Sequence, residues 1–281
     1  VKDLGAWDEV VGFVTGFGEP FLDFIRPLAP RTIALNYSEG SEICDGLTHG
    51  MFLTMRRLLA EAGLEDRIVS AEPIVSSLRE RKTAWEVETI RRAIRHTEEI
   101  YALVGGFLRP GLTEKEIAAF MREETRRRGL SFSWHESICP GVFTGPATAG
   151  AHYAPTDRVV ERGHVLNMDF GVKVDGYVSD LQRTFYVLEE GEAAAPPDVA
   201  HGFATIVDAI CRCKEAMRPG ALGHEIDAIA RRVLAGRGFE EFPHGLGHQV
   251  GRFAHDGTAL LGPAWEKYAQ KPFRKLEPGM V

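Results

Sequence analysis

The segment Arg109-Pro-Gly-Leu-Thr-Glu-Lys-Glu-Ile-Ala-Ala119 returns later in the chain as Arg218-Pro-Gly-Ala-Leu-Gly-His-Glu-Ile-Asp-Ala228, at a constant offset of 109. Arg, Pro, Gly, Glu, Ile and Ala recur in place, and Arg122 matches Arg231 further on. Each copy reads as a long helix, a Pro-Gly break, a second amphipathic helix and a closing glycine, Gly129 or Gly238. In the first copy Thr113 and Glu116 have the spacing of a capping box. Two helical turns can resemble each other by chance, but matched breaks and matched glycines argue against it. The duplication predicts two related halves, with a site most naturally placed between them.

Ahead of the repeat, residues 1–25 read as one or two helices and Arg31-Thr-Ile-Ala-Leu-Asn-Tyr37 as a strand. Asp45 is expected to cap a helix over 46–62 that stops at Gly63, and Arg67-Ile-Val-Ser-Ala71 to form another strand. Strand, helix, strand implies an α/β domain over 1–80. His49 stands alone and reads as a surface or packing residue. Leu78-Arg-Glu-Arg-Lys-Thr83 reads as a polar linker into a second domain, 81–281. There Val87, Ile90, Ile94, Thr97, Tyr101 and Val104 step by three and four along one helical face. Gly105-Gly106 weakens the end of that helix and Pro110-Gly111 closes it.

A net charge of -7 argues against a general role on nucleic acid or anionic membranes. The four cysteines form no Cys-x-x-Cys pair, and Cys211 and Cys213 fall on different helix faces, so all are expected reduced. No apolar run is long enough to span a bilayer and no signal peptide opens the chain, which points to the cytoplasm. The first residue is valine, and Leu276-Glu-Pro-Gly-Met-Val281 stops just past a turn where a strand should begin. A longer natural protein is expected.

The chemistry begins at a hairpin. Val165-Leu-Asn-Met-Asp-Phe-Gly-Val-Lys-Val174 and Tyr177-Val-Ser-Asp-Leu-Gln-Arg-Thr-Phe-Tyr-Val187 are strand-like, and Asp175-Gly176 between them is a two-residue turn. That turn sets Val174 opposite Tyr177, Val172 opposite Ser179 and Gly171 opposite Asp180. Asp169 then shares a face with Asp180 as its diagonal neighbour, roughly 5–8 Å away, and Gly171 leaves room beside them. Phe170, Val172, Val174, Tyr177 and Leu181 line the opposite, packed face. Paired carboxylates on an apolar sheet are tolerated when they share a proton or bind cations. They suit a two-metal hydrolase. Asp169-Phe-Gly171 also spells a kinase signature, but no kinase catalytic-loop motif precedes it.

The second chemical stretch is His244-Gly-Leu-Gly-His-Gln-Val-Gly-Arg-Phe-Ala-His-Asp256. His244 and His248 are four apart, but Gly245 and Gly247 disfavour a helix and no glutamate follows His244. This is not the His-Glu-x-x-His metalloprotease helix. An extended, glycine-relieved segment is expected, with imidazoles turned into a site. Between the two stretches, Ser133-Trp-His-Glu-Ser-Ile138 alternates like a strand. Gly141 to Gly150 reads as a glycine-rich loop without phosphate-loop order. His152, just past it, is a further site candidate.

With these motifs in hand, the chain resembles the Xaa-Pro aminopeptidase/prolidase branch of the M24 pita-bread metallopeptidases. The motifs carrying the resemblance are the Asp-x10-Asp hairpin with Ser179-Asp-x-x-Arg-Thr184 and the spacing His-x3-His-x6-His. It covers 84–281 well and 1–80 loosely. The resemblance implies an α+β pita-bread catalytic domain with a pseudo-twofold repeat, following a partial N-terminal creatinase-like α/β domain. Asp169, Asp180 and His248 would be metal ligands, His255 and His152 catalytic residues, and His244 a substrate-binding residue. Two divalent ions are implied, Mn2+ foremost and Co2+ or Zn2+ as alternatives, holding a bridging hydroxide. The substrates implied are Xaa-Pro dipeptides or peptides with proline second, and the assembly a homodimer. The family completes its metal set with two glutamates, which here would lie beyond residue 281.

Methionine aminopeptidase lacks the N-terminal domain and the counterpart of His244. Creatinase-like hydrolysis without metal is disfavoured by the retention of Asp169, Asp180 and His248. A catalytically inactive pita-bread module that binds peptides or protein tails is the alternative from a different class, and the two glutamates discriminate it from an enzyme.

Overall fold

The computed structural model describes residues 5, 7–146 and 153–281. They fall into two compact units, Val1–Ser77 and Leu78–Val281.

In the first unit, helix α1 (Gly18–Leu28) precedes strand β1 (Ile33–Leu35), helix α2 (His49–Glu61) and strand β2 (Ile68–Ser70). β1 and β2 pair in parallel, Ile33 opposite Ile68. A helical crossover is what a parallel pair requires. Leu35, Leu59 and Leu64 form its small core. The cap of α2 is Thr48, whose hydroxyl accepts from the Met51 amide, and not Asp45. The amides of Gly46 and Leu47 both donate to the Asn36 carbonyl, which holds the chain on β1 too long for a helix to start at 46. Asp45 instead accepts from the Ser38 amide.

Helix α3 (Glu72–Glu80) takes up part of the stretch expected as a linker. That stretch is not solvated, for Glu80 is 7% and Lys82 8% exposed. Helix α4 (Ala84–Phe107) starts at a capping box of Thr83 and Glu86. Its buried face is Ile90, Ala93, Thr97, Ile100, Tyr101 and Val104, so Val87 and Ile94 lie at the margins. Helix α5 (Glu114–Arg127) carries the predicted box of Thr113 and Glu116.

After strand β3 (Ser131–Phe132), residues 136–138 form a single 3-10 turn where alternation predicted a strand. The turn wins because His135 Nδ1 accepts from the Ser137 amide and closes the backbone locally. The expected glycine-rich loop opens instead with a fully buried strand, β4 (Gly141–Thr144).

The hairpin follows as β5 (Val165–Phe170), β6 (Val172–Val174), β7 (Tyr177–Val178) and β8 (Leu181–Tyr186). β5 lies between β4 and β8, and β6 between β3 and β7. The ladder breaks at Gly171 because Ser179 intrudes there. A Cβ on Gly171 would fall 1.8 Å from the Ser179 carbonyl oxygen. The glycine therefore serves close backbone approach and not, as expected, room beside Asp180. Leu166, Met168, Phe170 and Val172 are fully buried against Ile100, Val104, Ile117 and Met121. Each such side chain contributes about 1.5–3 kcal/mol by leaving water.

Helices α6 (Pro197–Ala216) and α7 (Gly223–Gly236) pack through Ala209, Cys213, Ile226 and Ala230. Cys213 is buried and Cys211 exposed, and all four cysteines are free. The repeat holds at the hydrogen-bond level. Gly111 N donates to Val160 O at 2.9 Å, and Gly220 N to Leu276 O at 2.8 Å. Thr113 bridges Val159 as Leu222 bridges Lys275. Gly111 and Gly220 have φ of 94° and 92°, a conformation that excludes most other residues. Two short strands, β9 (Gly247–His248) and β10 (Leu260–Leu261), pair antiparallel and frame the histidine segment.

Candidate metal centre

Asp175 and Gly176 have φ of 46° and 84°, the two positive values that a type I′ turn requires. The register it sets is the same on both sides of the break at Gly171, from Val174–Tyr177 to Phe170–Leu181 and Val165–Tyr186. It places Asp169 opposite Gln182, and Asp180 opposite Gly171, so the two aspartates are diagonal neighbours as expected. Asp169 lies within hydrogen-bonding reach of the Asp180 carboxyl. Asp169 is 7% exposed. Burial holds the Asp180 carboxyl above its usual range, and the hydrogen bond with Asp169 only partly opposes this.

The histidine segment is brought to the hairpin by backbone. Val178 N donates to Gly251 O at 2.8 Å, two residues before Asp180 and three after His248. His248 Nε2 then lies 3.6 Å from Asp180 Oδ2. Residues 249–256 fold back on themselves, Asp256 N donating to Gln249 O at 3.0 Å. This return places the His255 ring 3.9 Å from that of His248, centroid to centroid.

Four of the six expected site residues are thus assembled: Asp169, Asp180, His248 and His255. His244 is exposed, its ring against Phe242 and its Nδ1 at the Gly245 carbonyl, 2.9 Å away. His152 lies outside the described residues. Glu277 pairs with Arg81. Among the described residues, no three His, Cys, Asp or Glu side chains converge on one point as a ready ion cage. What exists is a chain of contacts, Asp169 to Asp180 to His248.

A family model for metallopeptidase family M24 matches residues 88–281. The chain belongs to metallopeptidase family M24. It is 33% identical over 195 residues to a Mycobacterium tuberculosis protein described as "Probable dipeptidase PepE", covering 69% of this chain and 50% of that one. It is 25% identical over 238 residues to the peptidase YqhT of Bacillus subtilis, covering 84% and 62%. Among solved structures, an X-Pro aminopeptidase from Thermotoga maritima superposes with a TM-score of 0.75 at 25% identity, covering 99% of this chain and 72% of that one. The fold is the pita-bread fold of these M24 aminopeptidases and prolidases, a mixed α+β architecture. The chain spans about half to three-fifths of the length of the two curated relatives.

M24 members are metallopeptidases, and the donor set here fits a divalent cation. Two carboxylates this close share a proton unless a cation replaces it. Oxygen donors joined by one imidazole suit Mn2+, Co2+ or Zn2+.

Several contributors around the centre were not singled out from sequence. Asp256, 2% exposed, accepts from Arg79 Nε at 2.7 Å and from the Arg252 amide at 2.5 Å. Lys82 Nζ donates to the Asp256 carbonyl, and burial lowers its pKa against the opposing pull of Asp256 and Glu80. Glu80 accepts from both the amide and the hydroxyl of Thr258. These contacts fix the loop that carries His255. Arg79, Glu80 and Lys82 lie more than 170 positions from their partners in sequence, so no local signal announced them.

Proposed function

We propose that the complete protein is a metal-dependent exopeptidase that hydrolyses the bond between an N-terminal residue and proline. The buried Asp169 beside the half-buried Asp180, with His248 against Asp180, carries this reading. Asp169, Asp180 and His248 would supply three protein ligands to a pair of divalent ions, manganese foremost. Two glutamates following residue 281 would complete the set. When bound, such ions polarise a carbonyl and lower the pKa of water. Residues 1–80 are read as the later part of a creatinase-like N-terminal domain, and the assembly as a homodimer in the cytoplasm.

The chain's own residues do the rest. His255, its ring 3.9 Å from that of His248 and tilted to it, would hydrogen-bond the oxygen that gains charge as the carbonyl is attacked. His244 is assigned to substrate binding and His152 to catalysis with His255. Asp180, held by Asp169 on one side and His248 on the other, orients the imidazole it faces.

The test is release of the N-terminal residue from Ala-Pro and Ala-Pro-Ala by the full-length protein, with manganese and with chelator. Manganese-dependent cleavage is expected, and the preferred length separates prolidase from aminopeptidase. Absence of both cleavage and metal binding would overturn the proposal in favour of a binding module.

A further inference from the structure

Arg231 sits on α7 with its side chain 9% exposed, and Asp227, one turn earlier, has its side chain 1% exposed. Arg231 Nε donates to Asp227 Oδ2 at 2.6 Å. The other guanidinium nitrogens leave the helix. Nη1 donates to the Phe242 carbonyl at 2.9 Å and Nη2 to the His244 carbonyl at 2.6 Å. Asp227 Oδ1 accepts from the Leu246 amide at 3.0 Å. One buried ion pair thus grips residues 242, 244 and 246 in turn, the run of backbone that leads into β9 and His248. The guanidinium also lies between aromatic rings, 4.2 Å from the Phe242 centroid and 4.9 Å from that of Trp265.

The internal repeat supplies a comparison within the same molecule. Arg122 is the counterpart of Arg231, and it too reaches off its helix to alternate carbonyls, Cys139 O at 3.0 Å and Ser137 O at 3.4 Å. The position matching Asp227 is Ala118, so the first half has the arginine without the carboxylate. Arg122's loop leads instead into β4, whose Gly141 pairs with Asp169. To a shared arginine brace the second half adds Glu241, 3.2 Å from Nη1, the two flanking aromatic rings, and Asp227, the carboxylate that reaches the backbone amide two residues before His248.

We propose that Asp227 and Arg231 are positioning residues for the metal centre, fixing the path of residues 242–248 so that His248 faces Asp180 and His244 faces substrate. The role rests on the peptidase reading of the centre. The pair acts through backbone: a guanidinium presents a rigid planar fork to two carbonyls, which an ammonium cannot reproduce. Groups that orient a metal ligand typically govern tenfold to a hundredfold in metal affinity.

The experiment compares Arg231→Lys and Asp227→Asn with Arg122→Lys in the full-length protein. Three quantities are read: thermal unfolding, manganese affinity by calorimetry, and amide hydrogen exchange across 242–248. Both second-half variants are expected to lose at least tenfold in manganese affinity and to exchange the Leu246 amide faster. Arg122→Lys is expected to lower the unfolding temperature without either change. Arg231→Lys and Asp227→Asn matching Arg122→Lys in affinity and exchange would overturn the proposal and leave a purely structural brace. Asp227→Asn keeps the side-chain volume, so the test survives if the arginine variant fails to fold. If wild-type protein binds no manganese, the peptidase reading fails, while exchange across 242–248 still decides whether the pair orders the segment.

Discussion

Arg79 and Asp256 form an ion pair at 2.7 Å, 177 positions apart in sequence and one residue from His255. Asp256 is 2% exposed and also takes the Arg252 amide. Asp256→Asn should keep the shape and lose the charge, leaving Arg79 without its counter-ion, while Lys82 keeps the Asp256 carbonyl and Glu80. A broken buried pair costs ~3–5 kcal/mol, and the partial exposure of Arg79 places the expected loss near the lower end. Urea unfolding measures it. The same variant should lower kcat/KM through His255, and unchanged kinetics in the folded protein would detach this pair from the site.

Asp180→Ala should abolish manganese binding and turnover together, because the same carboxylate touches both Asp169 and His248. Calorimetry with manganese alone reads the first effect independently of any substrate. A variant that keeps manganese-dependent activity would refute the ligand assignment.

Burial raises the Asp180 carboxyl above its unfolded value, the hydrogen bond with Asp169 opposing. The folded protein therefore holds this proton at pH values where the unfolded chain has released it. The resulting stability is fully present below the unfolded pKa and is lost as pH rises through the folded one. In chelator, the stability difference between wild type and Asp180→Asn should shift against wild type over that window, as read by urea midpoints. Manganese must displace the proton, so its affinity should rise with pH over the same range.

Gly171→Ala should be severe. The added methyl meets the Ser179 carbonyl oxygen at 1.8 Å and the Ser133 hydroxyl at 2.6 Å, and backbone cannot yield as a side-chain tip can. A loss of at least ~3 kcal/mol is expected from such overpacking. Thermal unfolding checks it, and a near-neutral result would mean that the strand break is not enforced at this contact.

What could be read from sequence was what neighbouring residues decide. Asp175-Gly176 fixes a turn, the turn fixes a register, and the register puts Asp169 diagonal to Asp180, since every step is local. The duplication was legible because the same breaks recur. Alternation misled at Ser133–Ile138, where a side-chain-closed turn prevailed, and β4 was hidden because a short glycine-led strand has no period of its own. Which residues brace the histidines was settled only by tertiary structure. Arg231 was visible as a repeat match, yet its hold on Phe242 and His244 depends on how α7 packs beside that segment. Arg79, Glu80 and Lys82 read as a solvated linker, and became a buried clamp because residues 252–258 fold back over them. A charge next to others in sequence looks solvated, and only packing decides whether water or a distant partner satisfies it.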